Sequence, residues 1–70
     1  MIKIADIEAL LKSEKQSTHI YYGIPLVNLK EIINVTGGTL DQDMYGVKHS
    51  LVIENTCVRI VLHSLNRNQI

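Results

Sequence analysis

The chain has 70 residues with seven basic and seven acidic side chains, so its formal charge is zero. Its cations are dispersed over Lys3, Lys12, Lys15, Lys30, Lys48, Arg59 and Arg67, which disfavours a phosphate-binding surface; the acidic excess a DNA mimic needs is missing too. An apolar fraction of 46% argues against intrinsic disorder, the single cysteine Cys57 supports neither an intramolecular disulfide nor a zinc ligand set, and no run approaches the roughly 18 apolar residues of a membrane span.

A chain this short is one domain that buries only ~60% of the surface its unfolded form exposes. Stability of a few kcal/mol is expected, and oligomerisation would add to it. Residues 1–65 are read as that domain and 66–70 as a polar tail. Met1 to Asp6 lacks the apolar core and cleavage site of a signal peptide, so the expected location is the cytoplasm.

In chain order, Ile4, Ile7, Leu10 and Leu11 recur at helical spacing and predict a helix from about Ala5 to Lys15. Thr18 to Tyr22 is a short β-prone run stopped by Gly23 and Pro25, and reads as a strand. Leu26, Leu29, Ile32 and Ile33 predict a second helix. Pro25 at its first position or Asn28 as its cap would start it, and Gly37-Gly38 would end it. A strand over Glu31 to Thr36 is the competing reading, because Ile, Val and Thr also suit strands. Thr39 to Gly46 reads as an acidic connection with room for one helical turn.

The strongest pattern comes last. Val47 to Glu54 and Cys57 to Ser64 each alternate apolar and polar residues, and predict a hairpin turning at Asn55-Thr56. In that register Glu54 pairs with Cys57, Ile53 with Val58, Leu51 with Ile60 and His49 with Leu62. One face carries Val47, His49, Leu51, Ile53, Val58, Ile60 and Leu62. The other carries Lys48, Ser50, Val52, Glu54, Arg59, Val61 and His63. The expected fold is α+β in the order α-β-α-β-β: two helices on one face of a small, mainly antiparallel sheet that ends in a long hairpin.

Chemistry-bearing motifs are sparse. Asp41, Asp43 and Gly46 are spaced like the start of a calcium loop, but Tyr45 and Val52 stand at the fifth and twelfth positions, where oxygen ligands and a bidentate Glu belong. Gly37-Gly38 opens no phosphate-binding loop. His49 and His63 are expected on opposite hairpin faces, which rules out a shared metal. Cys57 has no base within reach, since His63 lies roughly 20 Å along an extended strand. Neither a cofactor nor a metal is expected, and neither is an enzymatic activity. Of Tyr21 and Tyr22, adjacent in a strand, at least one should be exposed.

The second hairpin face is the functional hint, because Val52 and Val61 among charged residues are unusual for a surface wholly in water, and a helix, a second copy or a partner is expected to cover part of it. The expected activity is a non-enzymatic binding protein, an inhibitor, adaptor or regulator that contacts another protein. The contact surface would be Lys48, Val52, Arg59, Val61 and His63, together with Tyr45 and the acidic residues Asp41 and Asp43. Small size and richness in Ile, Asn and Lys are similar in type to accessory proteins of phages and mobile elements. A homodimer is compatible with this reading, as is a small molecule bound at an oligomer interface. The alternative is a winged-helix DNA-binding regulator, with Glu54 to Cys57 as the wing and a recognition helix somewhere in Thr39 to Lys48. Its carboxylates Asp41 and Asp43 would face phosphates there.

Overall fold

The computed structural model describes residues 2–65. The elements are α1 (Ile4–Leu11), β1 (Ser17–Ile24), α2 (Leu26–Thr36), β2 (Thr39–Gln42), β3 (His49–Glu54) and β4 (Val58–Ser64). The fold is α+β with a four-stranded mixed sheet in the order β1-β4-β3-β2. β1 runs parallel to β4, and β3 is antiparallel to both β4 and β2. The polar tail 66–70 lies outside the described residues.

The connectivity decides which face is covered. β1 and β2 occupy opposite edges, so α2, which joins them, must pass across the two strands between. It packs on β3 and β4, and α1 packs on β4. Ile7 of α1 and Leu29 and Ile32 of α2 are buried against Ile24, Leu51, Ile53, Val58, Ile60 and Leu62 of the sheet. Apart from Ile24, which lies beyond the expected end of its strand, these are the inward positions expected from the helical spacing and from the hairpin alternation.

Local chemistry sets the ends of the helices. α1 begins with the Asp6 carboxylate accepting the Lys3 N–H at 3.2 Å. It ends at Leu11 rather than running on to Lys15, because after Leu11 the sequence is Lys-Ser-Glu-Lys-Gln-Ser and offers no apolar residue to hold another turn on the sheet. The second helix is a helix, and the strand reading of Glu31 to Thr36 does not hold. Pro25 stands just outside it at φ −58°, and Asn28 lies within it rather than capping it. Gly37 closes it in the left-handed conformation at φ +71°, its N–H donating to Ile33.

Gly38 is needed for space. A Cβ there would sit 2.8 Å from the Val52 carbonyl oxygen and 2.9 Å from Ile53 Cγ1, so β3 itself would have to move. Gly38→Ala is expected to lower stability by about 1–3 kcal/mol through this overpacking. Chemical denaturation would read it as a lower midpoint with unchanged slope.

Three expectations are corrected. Thr39 to Gln42 is not loop but the edge strand β2, and no helical turn forms in Thr39 to Lys48. The order is therefore α-β-α-β-β-β, and the recognition helix that a winged-helix arrangement would place in that segment is absent. The hairpin turn is wider than two residues: Glu54 pairs with Arg59, Ile53 with Ile60, Leu51 with Leu62 and Ser50 with His63. This is a slip of two residues from the expected register. Because side chains alternate with period two, each residue keeps its face. Cys57 consequently lies in the turn instead of starting a strand. Lastly, β1 is longer than Thr18 to Tyr22 and contains an irregularity, with Tyr21 opposite Leu62 but Ile24 opposite Ser64.

Candidate functional site: the uncovered sheet face

Residues of four strands share the face away from the helices, and the registers order them into lateral rows. In one, Tyr22 of β1 lies beside His63 of β4, with Ser50 of β3 and Asp41 of β2 beyond. The next is Ile20, Val61, Val52 and Thr39. The last is Thr18, Arg59 and Glu54. Ile20 is 51% exposed and Tyr22 74%, whereas Val52 and Val61 are half-buried between their neighbours. A strip of apolar side chains therefore crosses the sheet between a polar-aromatic row and an ion pair.

The polar-aromatic row is knit together. Two β1 residues, Tyr22 and Gly23, stand against the single position His63, and Gly23 takes φ +74° to permit it. That bulge brings the Tyr22 ring onto the His63 imidazole, with centroids 4.9 Å apart and planes 15° from parallel. On the other side of the imidazole, Ser50 Oγ lies 2.8 Å from His63 Nδ1. A serine within hydrogen-bond reach of an imidazole has the geometry of a nucleophile and its base. Acyl transfer also needs free N–H donors at the developing oxyanion. β3 is hydrogen-bonded to strands on both sides, and the His49 N–H donates to Ser64 Oγ, so the N–H groups around Ser50 are already committed. The contact reads as a cross-strand polar pair that holds His63 and Tyr22 in place.

An open cleft of about 670 Å³ lies at this end of the sheet, lined by Tyr22, Asp41, Asp43, Lys48, Ser50 and His63 among others. A smaller one, about 380 Å³, lies at the other end, and Val52, Glu54 and Arg59 line it with the Gly37-Gly38 turn. Arg59 Nε sits 3.9 Å from Glu54 Oε2, with both side chains more than half exposed. Such a surface pair is worth roughly 0–1 kcal/mol, so the guanidinium is free to change partners.

Of the expected contact residues, Val52, Arg59, Val61, His63 and Asp41 share this face. Lys48 and Asp43 reach it at the cleft. Tyr45 belongs elsewhere, at the tip of the β2–β3 turn, 80% exposed beside Met44. Ile20, Tyr22 and Ser50 complete the surface. The alternation of the hairpin already pointed Ser50 this way. Ile20 and Tyr22 join it only because β1 pairs with β4.

The acidic turn has a structural role. Asp43 Oδ1 accepts the Val47 N–H at 2.8 Å and the Tyr45 N–H at 3.1 Å, and the Asp43 N–H donates to Lys48. The Val47 N–H above all holds the Asp43 carboxyl below its ordinary range. The ionised form is thus the one that organises the turn. His49 keeps to the helix side of β3, its N–H donating to Ser64 Oγ at 3.0 Å, and His19 contacts Ser17 Oγ at 3.1 Å. Among the described residues, no cluster of three or more His, Cys, Asp or Glu side chains is placed to hold a metal, and no helix is long and apolar enough to cross a membrane.

The fold and this face define a small α+β domain with one covered and one open sheet surface. Comparison with protein-family models, curated proteins and solved structures gives no significant match.

Proposed function

We infer that this is a non-enzymatic binding protein that acts by seating its open sheet face on another protein, in the manner of an inhibitor, adaptor or regulator. The observation that carries the reading is the apolar strip Ile20, Val61 and Val52, which crosses a sheet face that neither helix covers. Apolar and aromatic side chains at the centre with charges at the rim are the anatomy of a protein contact surface. Here Tyr22 supplies the aromatic, while Arg59, Glu54, Asp41 and Lys48 supply the rim. The neutral charge and scattered cations favour protein over nucleic acid as the partner.

The test is affinity capture from a nuclease-treated lysate of the source cell or its host, with three tagged forms. The unaltered protein should recover one partner near stoichiometrically. Arg59→Glu should recover much less of it, because a rim charge is reversed where the fold gains almost nothing from the original. Lys30→Glu, on the exposed side of α2, should recover as much as the unaltered protein. Equal recovery by all three forms would remove the sheet face from the reading.

A further inference from the structure

We propose that β1 pairs edge to edge with β1 of a second copy of this chain, antiparallel, about a twofold axis through Ile20. This inference concerns the sheet edge and holds whether or not the open face binds a target.

The backbone shows which groups are free. The Ser17 N–H donates to the Cys57 carbonyl on the β4 side at 3.0 Å. Strand geometry alternates, so Ser17, His19 and Tyr21 turn their N–H and C=O toward β4, and Thr18, Ile20 and Tyr22 turn theirs to the open edge. Among the described residues, no hydrogen bond occupies that edge. Proteins commonly protect such edges with Lys, Pro, inward charges or very short strands. β2, at the opposite edge, is short and carries Asp41. β1 has eight residues, none of them Lys, Arg, Asp, Glu or Pro. Its bulge at Tyr22-Gly23 lies at one end, which leaves Ser17 to Tyr21 regular.

The pattern also matches itself. In an antiparallel pairing centred on Ile20, the outward residues oppose one another: Ile20 meets Ile20, and Thr18 meets Tyr22 of the other copy. The Ile20 pair exchanges both backbone hydrogen bonds, and the Thr18–Tyr22 pairs flank it with Tyr22 at the start of the bulge. On the open face the two Ile20 side chains touch, with a threonine methyl against a tyrosine ring on either side. On the helix side His19 meets Tyr21 of the other copy. With no Lys, Arg, Asp or Glu on the strand, no such like charges meet across the axis. The product is a closed twofold dimer with one continuous eight-stranded sheet, four strands from each copy.

Sedimentation equilibrium over a concentration series tests the association, and engineered cysteines test the register. The mass should rise from the 7.9 kDa of one chain to that of two. Ile20→Lys, which brings two ammonium groups together on the axis, should return it to one chain with an unchanged circular dichroism spectrum. In a Cys57→Ala background, Ile20→Cys should oxidise to a covalent dimer. Its opposed Cα atoms would be about 5.5 Å apart, inside the disulfide range of roughly 4.4–6.8 Å. Thr18→Cys should not, since its copies would be offset by four residues, about 13 Å. A single-chain mass at every concentration without Ile20→Cys cross-linking would overturn the proposal and leave the edge to a strand from a different protein. A dimer unaffected by Ile20→Lys, or one that cross-links as readily through Thr18→Cys, would overturn it as well.

Discussion

Ile60→Asp is expected to abolish the cooperative unfolding transition, while Val61→Asp, one residue along, is expected to preserve it. Ile60 is fully buried at the middle of β4, opposite Ile53 of β3 and His19 of β1, beneath the helices. A carboxylate there has no partner and loses its water, which costs several kcal/mol or forces it to stay protonated. A 70-residue domain has only a few kcal/mol to lose. Val61 is half-buried on the open face, where an aspartate stays in contact with solvent. Thermal denaturation followed by circular dichroism distinguishes the two. A cooperative transition in Ile60→Asp near that of the unaltered protein would mean that the faces of β4 are assigned the wrong way round.

Asn55→Ala is expected to cost roughly 2–4 kcal/mol, from three hydrogen bonds at about 1 kcal/mol each. Asn55 Oδ1 accepts the N–H groups of Cys57 and Val58 at 2.9 and 2.8 Å and so shapes the turn between β3 and β4. Its Nδ2 donates to the Leu11 carbonyl at 2.6 Å, which fastens the end of α1 to that turn. The substitution therefore loosens a turn and a helix end together. Urea denaturation should show the loss, and hydrogen exchange should show faster exchange at Cys57, Val58 and the last turn of α1. A loss within about 0.5 kcal/mol, ordinary for a surface substitution, would mean that water replaces all of these bonds.

The residues that failed to announce themselves did so for physical reasons. The helices were legible because Ile7, Leu29 and Ile32 lie at helical spacing on apolar stripes. The hairpin faces were legible because period-two alternation survives a slip of two residues. The register itself was not, since it depends on a side chain acting on its own backbone. Asn-Thr lacks the glycine of tight two-residue hairpin turns, and Asn55 Oδ1 instead organises a wider one. β2 is not legible because of its two helix-side positions, Leu40 and Gln42, only Leu40 is apolar, leaving no alternation to read in a short edge strand. The mixed composition of Lys48, Val52, Arg59 and Val61 points to a cover over part of that face, by a helix, a second copy or a partner, and neither helix lies on it. That Ile20 and Tyr22 extend it follows from β1 lying parallel to β4, a pairing between segments far apart in sequence. The Tyr22–His63 stack needs the Gly23 bulge as well, which a lone glycine after two tyrosines does not specify.

The central claim is that partners are met on the open sheet face rather than on the helices. α2 has exposed apolar residues of its own, Val27 at 72% and Val35 at 55%, and they make the comparison fair. The decisive measurement is a methyl spectrum of isotope-labelled protein before and after adding the partner recovered by affinity capture. Shifts or broadening at Ile20, Val52 and Val61, with Val27 and Val35 unchanged, are the predicted result. Changes confined to Val27 and Val35, with the sheet-face methyls unmoved, would contradict the account and transfer the contact surface to α2.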